Sequence, residues 1–132
     1  MQDPVLVKDI SNPLFLHHAE SPGVMLVSEP LIGEKYHAWA HSMKKALTAK
    51  NKFGFVNGSI TLSSPLVKTL ATVDAWIHSE NMVGSWLIKA VSPQIRVSIT
   101  YKDTTLEIWN DLKDTHSKAM DLGFFNFRRT LL

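Results

Sequence analysis

The 132-residue sequence predicts a small all-α protein, a bundle of about four to five helices with an extended N-terminal arm. Three observations predict the helical class and the arm. After Gly33, apolar residues recur at intervals of three and four, the period of one buried helical face. Ser and Thr capping signals stand in front of several of these runs. Before Gly33, the closely spaced Pro4, Pro13, Pro22, Gly23, Pro30 and Gly33 leave no room for a helix of ordinary length. Residues 1–33 are therefore read as the arm and residues 34–132 as the helical domain, cut short at its C-terminal end.

Within the arm, Val24 to Val27 is β-branched enough to lie extended between two turn-like segments, Ser21-Pro22-Gly23 and Ser28-Glu29-Pro30. A short edge strand and a plain extended packing segment fit it equally. Tyr36, Trp39, Met43, Ala46, Leu47 and Lys50 then mark a helix over 34–50. It stops before Phe53-Gly54-Phe55, and Asn57-Gly58 makes a turn whose flanks are too short for a stable hairpin. Ser64-Pro65 reads as an N-cap with proline at the first helical position, opening a second helix that is strongest over 74–90. Ser92-Pro93 repeats the signal for a short helix carrying Ile95 and Ile99. Thr104-x-x-Glu107 has the form of a capping box and starts a helix to about Lys118 that buries Leu106, Trp109 and Leu112. Leu122 to Leu132 reads as the start of one more helix.

Apolar residues make up 45% of the chain and charged residues 20%, an ordinary globular balance. The absence of cysteine excludes disulfides, thiolate zinc sites and cysteine nucleophiles. With no secretory leader in Met1 to Ile10 and no apolar run long enough to cross a bilayer, the expected setting is intracellular and cytoplasmic, away from membranes.

No catalytic constellation emerges, and the chain is read as a non-enzyme with no cofactor, metal ligand or small-molecule substrate. His37 and His41 have a spacing that suits one metal, but they lack further ligands and share their face with Lys44 and Lys45. His17-His18 is weaker still. Asp121-Leu122-Gly123 has leucine where an aspartic protease needs a hydroxyl, and Asp111 and Asp114 fit a solvated helix face. Lys44, Lys45, Lys50 and Lys52 crowd one helix and its exit. They are the candidate nucleic-acid contacts, for weak and sequence-blind phosphate binding, although a solvated lysine face is the ordinary account. Trp39, Trp76, Trp86 and Trp109 fall on buried stripes, with interface anchoring as the second reading. The arm and the C-terminal end hold apolar residues without a helical face to bury them locally, so they must lie on the helical body or on a neighbouring chain; Phe15, Leu26, Phe124 and Phe125 are the candidate self-association residues.

In order along the chain stand Asn12-Pro13-Leu14-Phe15-Leu16-His17, Ser21-Pro22-Gly23, Leu31-x-Gly33-x-x-Tyr36-x-x-Trp39-x-x-Ser42-Met43 and Asn51-Lys52-x-Gly54-Phe55-Val56-x-Gly58-Ser59-Ile60. Ser85-Trp86-Leu87, Val91-Ser92-Pro93-x-Ile95 and Ile108-Trp109-x-Asp111-Leu112-Lys113 follow. This series resembles the N-terminal, capsid-like region of the Gag polyprotein of plant Copia-type LTR retrotransposons, with Tyr36, Trp39, Trp86 and Trp109 as motif and core residues. The resemblance implies a structural module that self-associates in the particle that packages element RNA. Its expected partners are copies of itself, weakly held in isolation, and RNA without sequence preference. The alternative is a domesticated or degenerate element-derived adaptor or nucleic-acid-associated domain that has lost assembly.

Overall fold

Tyr36, Trp39, Met43 and Leu47 are buried along one side of the first helix, as their spacing requires. In a computed structural model that describes residues 9–117, this helix is α1 (Tyr36–Ala49), followed by α2 (Leu70–Lys89), α3 (Pro93–Ile99) and α4 (Thr105–Leu112). No strand forms among the described residues; one parallel bridge joins Leu31 to Val91. The all-α expectation holds. The helix expected over Leu122 to Leu132 lies outside the described residues.

Helix ends follow local chemistry. Asn51, at φ 58, closes α1 in the left-handed conformation, with Lys52 N–H donating to the Leu47 carbonyl at 2.8 Å and Asn51 N–H to Thr48 at 2.9 Å. A 3₁₀ turn, Phe53–Phe55, comes next. Gly54 is required there, because a Cβ would fall 2.5 Å from Ile60 Cδ1. Gly58, at φ 85, completes the Asn-Gly turn.

Ser64-Pro65 does not open α2. Ser64 Oγ instead accepts from Thr61 N–H at 2.7 Å and donates to the Ser59 carbonyl, closing a loop on itself. The helix begins after Thr69, where two threonines cap reciprocally: Thr72 N–H donates to Thr69 Oγ1 and Thr69 N–H to Thr72 Oγ1. At the other end, Arg96 donates to the Ile88 and Val91 carbonyls, satisfying acceptors that the end of α2 leaves open. Ser92-Pro93 caps α3 as expected, with Ile95 N–H donating to Ser92 Oγ.

Thr104 caps α4 through Glu107 N–H at 3.1 Å, but Glu107 accepts from Asp103 N–H, so the expected box is only half formed. The α-helix also ends earlier than Lys118, passing at Leu112 into a π-helical turn, Lys113–Ser117. Its buried face is turned from the expected one. Thr105, Ile108 and Leu112 are buried, while Leu106 and Trp109 are only partly covered.

One core joins all of these pieces. Val83, Trp86 and Leu87 of α2 meet Met43 and Leu47 of α1, Ile95 and Ile99 of α3, and Ile108 and Leu112 of α4. Leu14, Val27 and Leu31 from the irregular N-terminal segment enter the same core. Trp39 packs 5.9 Å from Trp109, ring to ring, and donates Nε1–H to the Ala90 carbonyl at 2.8 Å. Trp86 has no exposed surface and donates Nε1–H to the Ser21 carbonyl at 2.8 Å. Trp86→Ala is expected to cost about 3–5 kcal/mol, chiefly from lost packing. Urea unfolding measures this cost, and a variant as stable as the parent would remove Trp86 from the core.

A polar knot is set into this apolar interior. Thr105 Oγ1 donates to the Phe55 carbonyl at 2.9 Å and also contacts Glu80 Oε1, tying α4 to the 3₁₀ turn and to α2. A hydroxyl has one proton, so both contacts are satisfied together only when the Glu80 carboxyl is itself protonated. Burial pushes that carboxyl above its usual range, opposed by the hydrogen bonds from Thr105. The folded protein therefore binds a proton that the unfolded chain releases. The resulting stability is fully present below the ordinary value of 4.5 and is lost as pH rises through the folded value. Glu80→Gln places a permanent donor there. Its unfolding free energy is expected to vary less with pH than the parent's from about 4.5 upward, read by urea titrations at successive pH values; parallel curves would show Glu80 ionised in the fold.

Candidate functional site

The N-terminal segment has almost no secondary structure to pair its backbone, and side chains from the helical body do so instead. Asn51 Nδ2 donates to the Ser11 carbonyl at 3.0 Å, Ser79 Oγ to Leu14 at 3.3 Å, Lys52 Nζ to Phe15 and Trp86 Nε1 to Ser21. Lys50 adds an ion pair, with both Glu20 carboxylate oxygens 3.0 Å from its Nζ, and lies 5.1 Å over the Trp86 ring. The seam between arm and body is thus polar, specific and partly buried.

This seam divides the candidate nucleic-acid lysines. Lys44 and Lys45 project into solvent from α1, Lys44 lying 5.4 Å from the centre of the Phe53 ring. Lys50 is half-buried in its pair with Glu20, and Lys52 is only 3% exposed. Burial pushes the Lys52 ammonium down to about 8, with Glu20 opposing the shift and Lys50 reinforcing it. The structure therefore brings Lys50 and Lys52 together at the seam and leaves Lys44 and Lys45 on an open face. Their spacing in sequence does not reveal the split. The signal is the left-handed Asn51, which turns the chain so that residues 50 to 52 face the arm.

Among the candidate self-association residues, Phe15 is partly buried beside Glu20, Lys50 and Lys52, and Leu26 is partly buried against the core. Phe124 and Phe125 lie outside the described residues. Tyr36, Trp39 and Trp86 are buried, and Trp109 packs at the edge of the core. His37 and His41 are exposed on α1, and no group of three or more His, Asp or Glu is placed to hold a metal among the described residues. None of the described helices is long and apolar enough to cross a membrane.

Several large apolar side chains remain exposed: Ile32 at 68%, Leu70 at 86%, Val97 at 75% and Tyr101 at 91%. Ile32 and α3 leave the same place in the fold, because Leu31 and Val91 are bridge partners and Ser92 N–H donates to the Leu31 carbonyl at 2.8 Å. A groove lined by Leu26, Leu31, Ile32, Ala38 and Trp39 runs between the arm and α1.

Residues 17–62 match the family described as Gag-polypeptide of LTR copia-type, a stretch that holds the later part of the arm, α1 and the 3₁₀ turn. This supports a Copia-type Gag N-terminal region, as the sequence resemblance implied. No curated protein and no solved structure matches the chain.

The division of the lysines has a direct consequence. Lys52→Glu is expected to destabilise the fold by more than about 2 kcal/mol, since it buries a carboxylate beside the Phe15 carbonyl and Glu20. Lys44→Glu and Lys45→Glu are expected to stay within about 0.5 kcal/mol of the parent. Thermal unfolding of the three variants checks the ordering.

Proposed function

We propose that this chain is a structural Gag-like module that works by weak association with copies of itself, in the cytoplasm, in building a retrotransposon particle. The observation that carries the reading is the Copia-type Gag match over residues 17–62, which falls on the arm and the helix that receives it. Exposed apolar side chains supply candidate surface for a second copy: Ile32, next to the Leu31–Val91 bridge, and Val97 and Tyr101 on and just after α3. Single contacts of this kind are weak, in the micromolar range or worse, because many act together in a closed shell.

Weak RNA association accompanies assembly in this reading, carried by the exposed Lys44 and Lys45. Such binding would be blind to sequence and would fall with salt. A module that stayed monomeric and still bound RNA in this manner would correspond to an element-derived adaptor.

Sedimentation across a concentration series tests the reading. Deleting the arm is not a clean test, because Leu14, Val27 and Leu31 belong to the core and their loss would unfold the body. Val97→Asp and Tyr101→Asp leave the core intact and are expected to weaken association at least tenfold, a change of about 1.4 kcal/mol. A parent protein that remains strictly monomeric up to about 1 mM, where contacts near −4 kcal/mol would register, rejects self-association.

A further inference from the structure

At the arm-body seam a cavity of about 210 Å³ is lined by Phe15, Glu20, Lys50, Lys52 and Trp86, together with Ile10, Leu16 and His17. Two ammonium groups and one carboxylate face it. Both Glu20 oxygens already accept from Lys50 Nζ, at 3.0 Å each. Lys52 has three N–H donors and, among the described residues, gives one to the Phe15 carbonyl, an acceptor with no formal charge. Among the described residues, a cation that is 3% exposed thus stands beside an open cavity with donors to spare and no anion paired to it directly.

We propose that this cavity is a binding site for one small oxyanion, a phosphate or carboxylate group, held by the Lys52 ammonium with support from Lys50. The site is distinct from the exposed Lys44 and Lys45 face and does not depend on the assembly reading. Its volume admits a single such group on a small carrier, and the Trp86 ring gives it an apolar wall. Phe15 and Glu20 belong to the N-terminal segment, whereas Lys50, Lys52 and Trp86 belong to the body. An anion between them adds a charged hydrogen bond across the seam and fastens the arm.

The state of Lys52 supports this. Its ammonium is pushed down to about 8 because burial is not offset by a full counter-charge. A bound anion supplies that charge and moves the titration back up. Binding also weakens as pH rises past that value, because the neutral amine no longer attracts the anion. Among the described residues, Lys50, Glu20 and His17 are the other charged or titratable groups lining the cavity, and Glu20, paired with Lys50, offsets the Lys52 charge only in part.

The experiment is a side-chain NMR titration of the full chain, following the Lys52 ε-methylene against pH with inorganic phosphate, with acetate, or with neither. In the presence of the bound anion the Lys52 midpoint is expected to move up by at least about half a unit, and the apparent Kd to weaken at least about tenfold between pH 7 and 9.5. A response to phosphate alone makes the site a phosphate site, and a response to acetate alone makes it a carboxylate site; either supports the proposal. Lys52→Met is expected to abolish binding while Lys44→Met retains it. Should Lys52→Met fail to fold, the wild-type Lys52 titration decides by itself. A Lys52 midpoint unmoved by either anion up to about 50 mM, or binding lost in Lys44→Met and kept in Lys52→Met, overturns the proposal.

Discussion

An irregular segment can enter a protein core only if its backbone carbonyls find donors, and between Ser11 and Ser21 side chains of the body supply many of them. Asn51, Lys52, Ser79 and Trp86 each reach one carbonyl between Ser11 and Ser21. Without Ser79, burying Leu14 would leave its carbonyl without a partner, at a cost of about 1–3 kcal/mol. The requirement fixes much else. Trp86 must present its ring nitrogen to the arm, and the chain leaving α1 must turn at Asn51 so that Lys52 points inward.

The same requirement explains which parts of the fold were legible in the sequence. The face of α1 and the cap of α3 depend on residues within a few positions of one another, so periodicity and Ser92-Pro93 located them. The start of α2 was misread because Ser64-Pro65 and Thr69-x-x-Thr72 are both plausible caps. What separates them is the loop closure of Ser64 onto Ser59, a contact between neighbouring turns that propensity does not weigh. On α4, the buried face follows Thr105, whose hydroxyl is pulled inward by Phe55 and Glu80. A polar residue thereby sets the helix rotation that an apolar stripe was expected to set.

The lysines were legible as a cluster but not as two populations. Linear spacing places Lys44, Lys45, Lys50 and Lys52 on one helix and its exit, and charge alone suggests one phosphate-binding face. Burial separates them, because the pair after the helix end is recruited by the Phe15 carbonyl and Glu20, residues thirty or more positions away. Contacts at that range leave no local pattern. The apolar arm residues left two placements open, the helical body or a neighbouring chain, and Leu14 and Val27 take the first: they lack a periodic face of their own, and the body provides the complementary surface.

The arm therefore sits under two opposed demands. Its apolar side chains stabilise the core, while its carbonyls draw in Lys52, a cation that prefers water, and leave that charge only partly compensated. A chain selected for stability alone would place a neutral donor at position 52, as it does at Asn51 and Ser79. Glutamine there could reach a carbonyl without desolvating a full charge. A lysine with donors to spare, beside a cavity and an already paired carboxylate, costs stability unless something at the seam answers its charge. Glu20, Lys50 and Lys52 all fall within residues 17–62, the stretch that matches the Copia-type Gag family, while Phe15 and Trp86, which complete the seam, lie on either side of it.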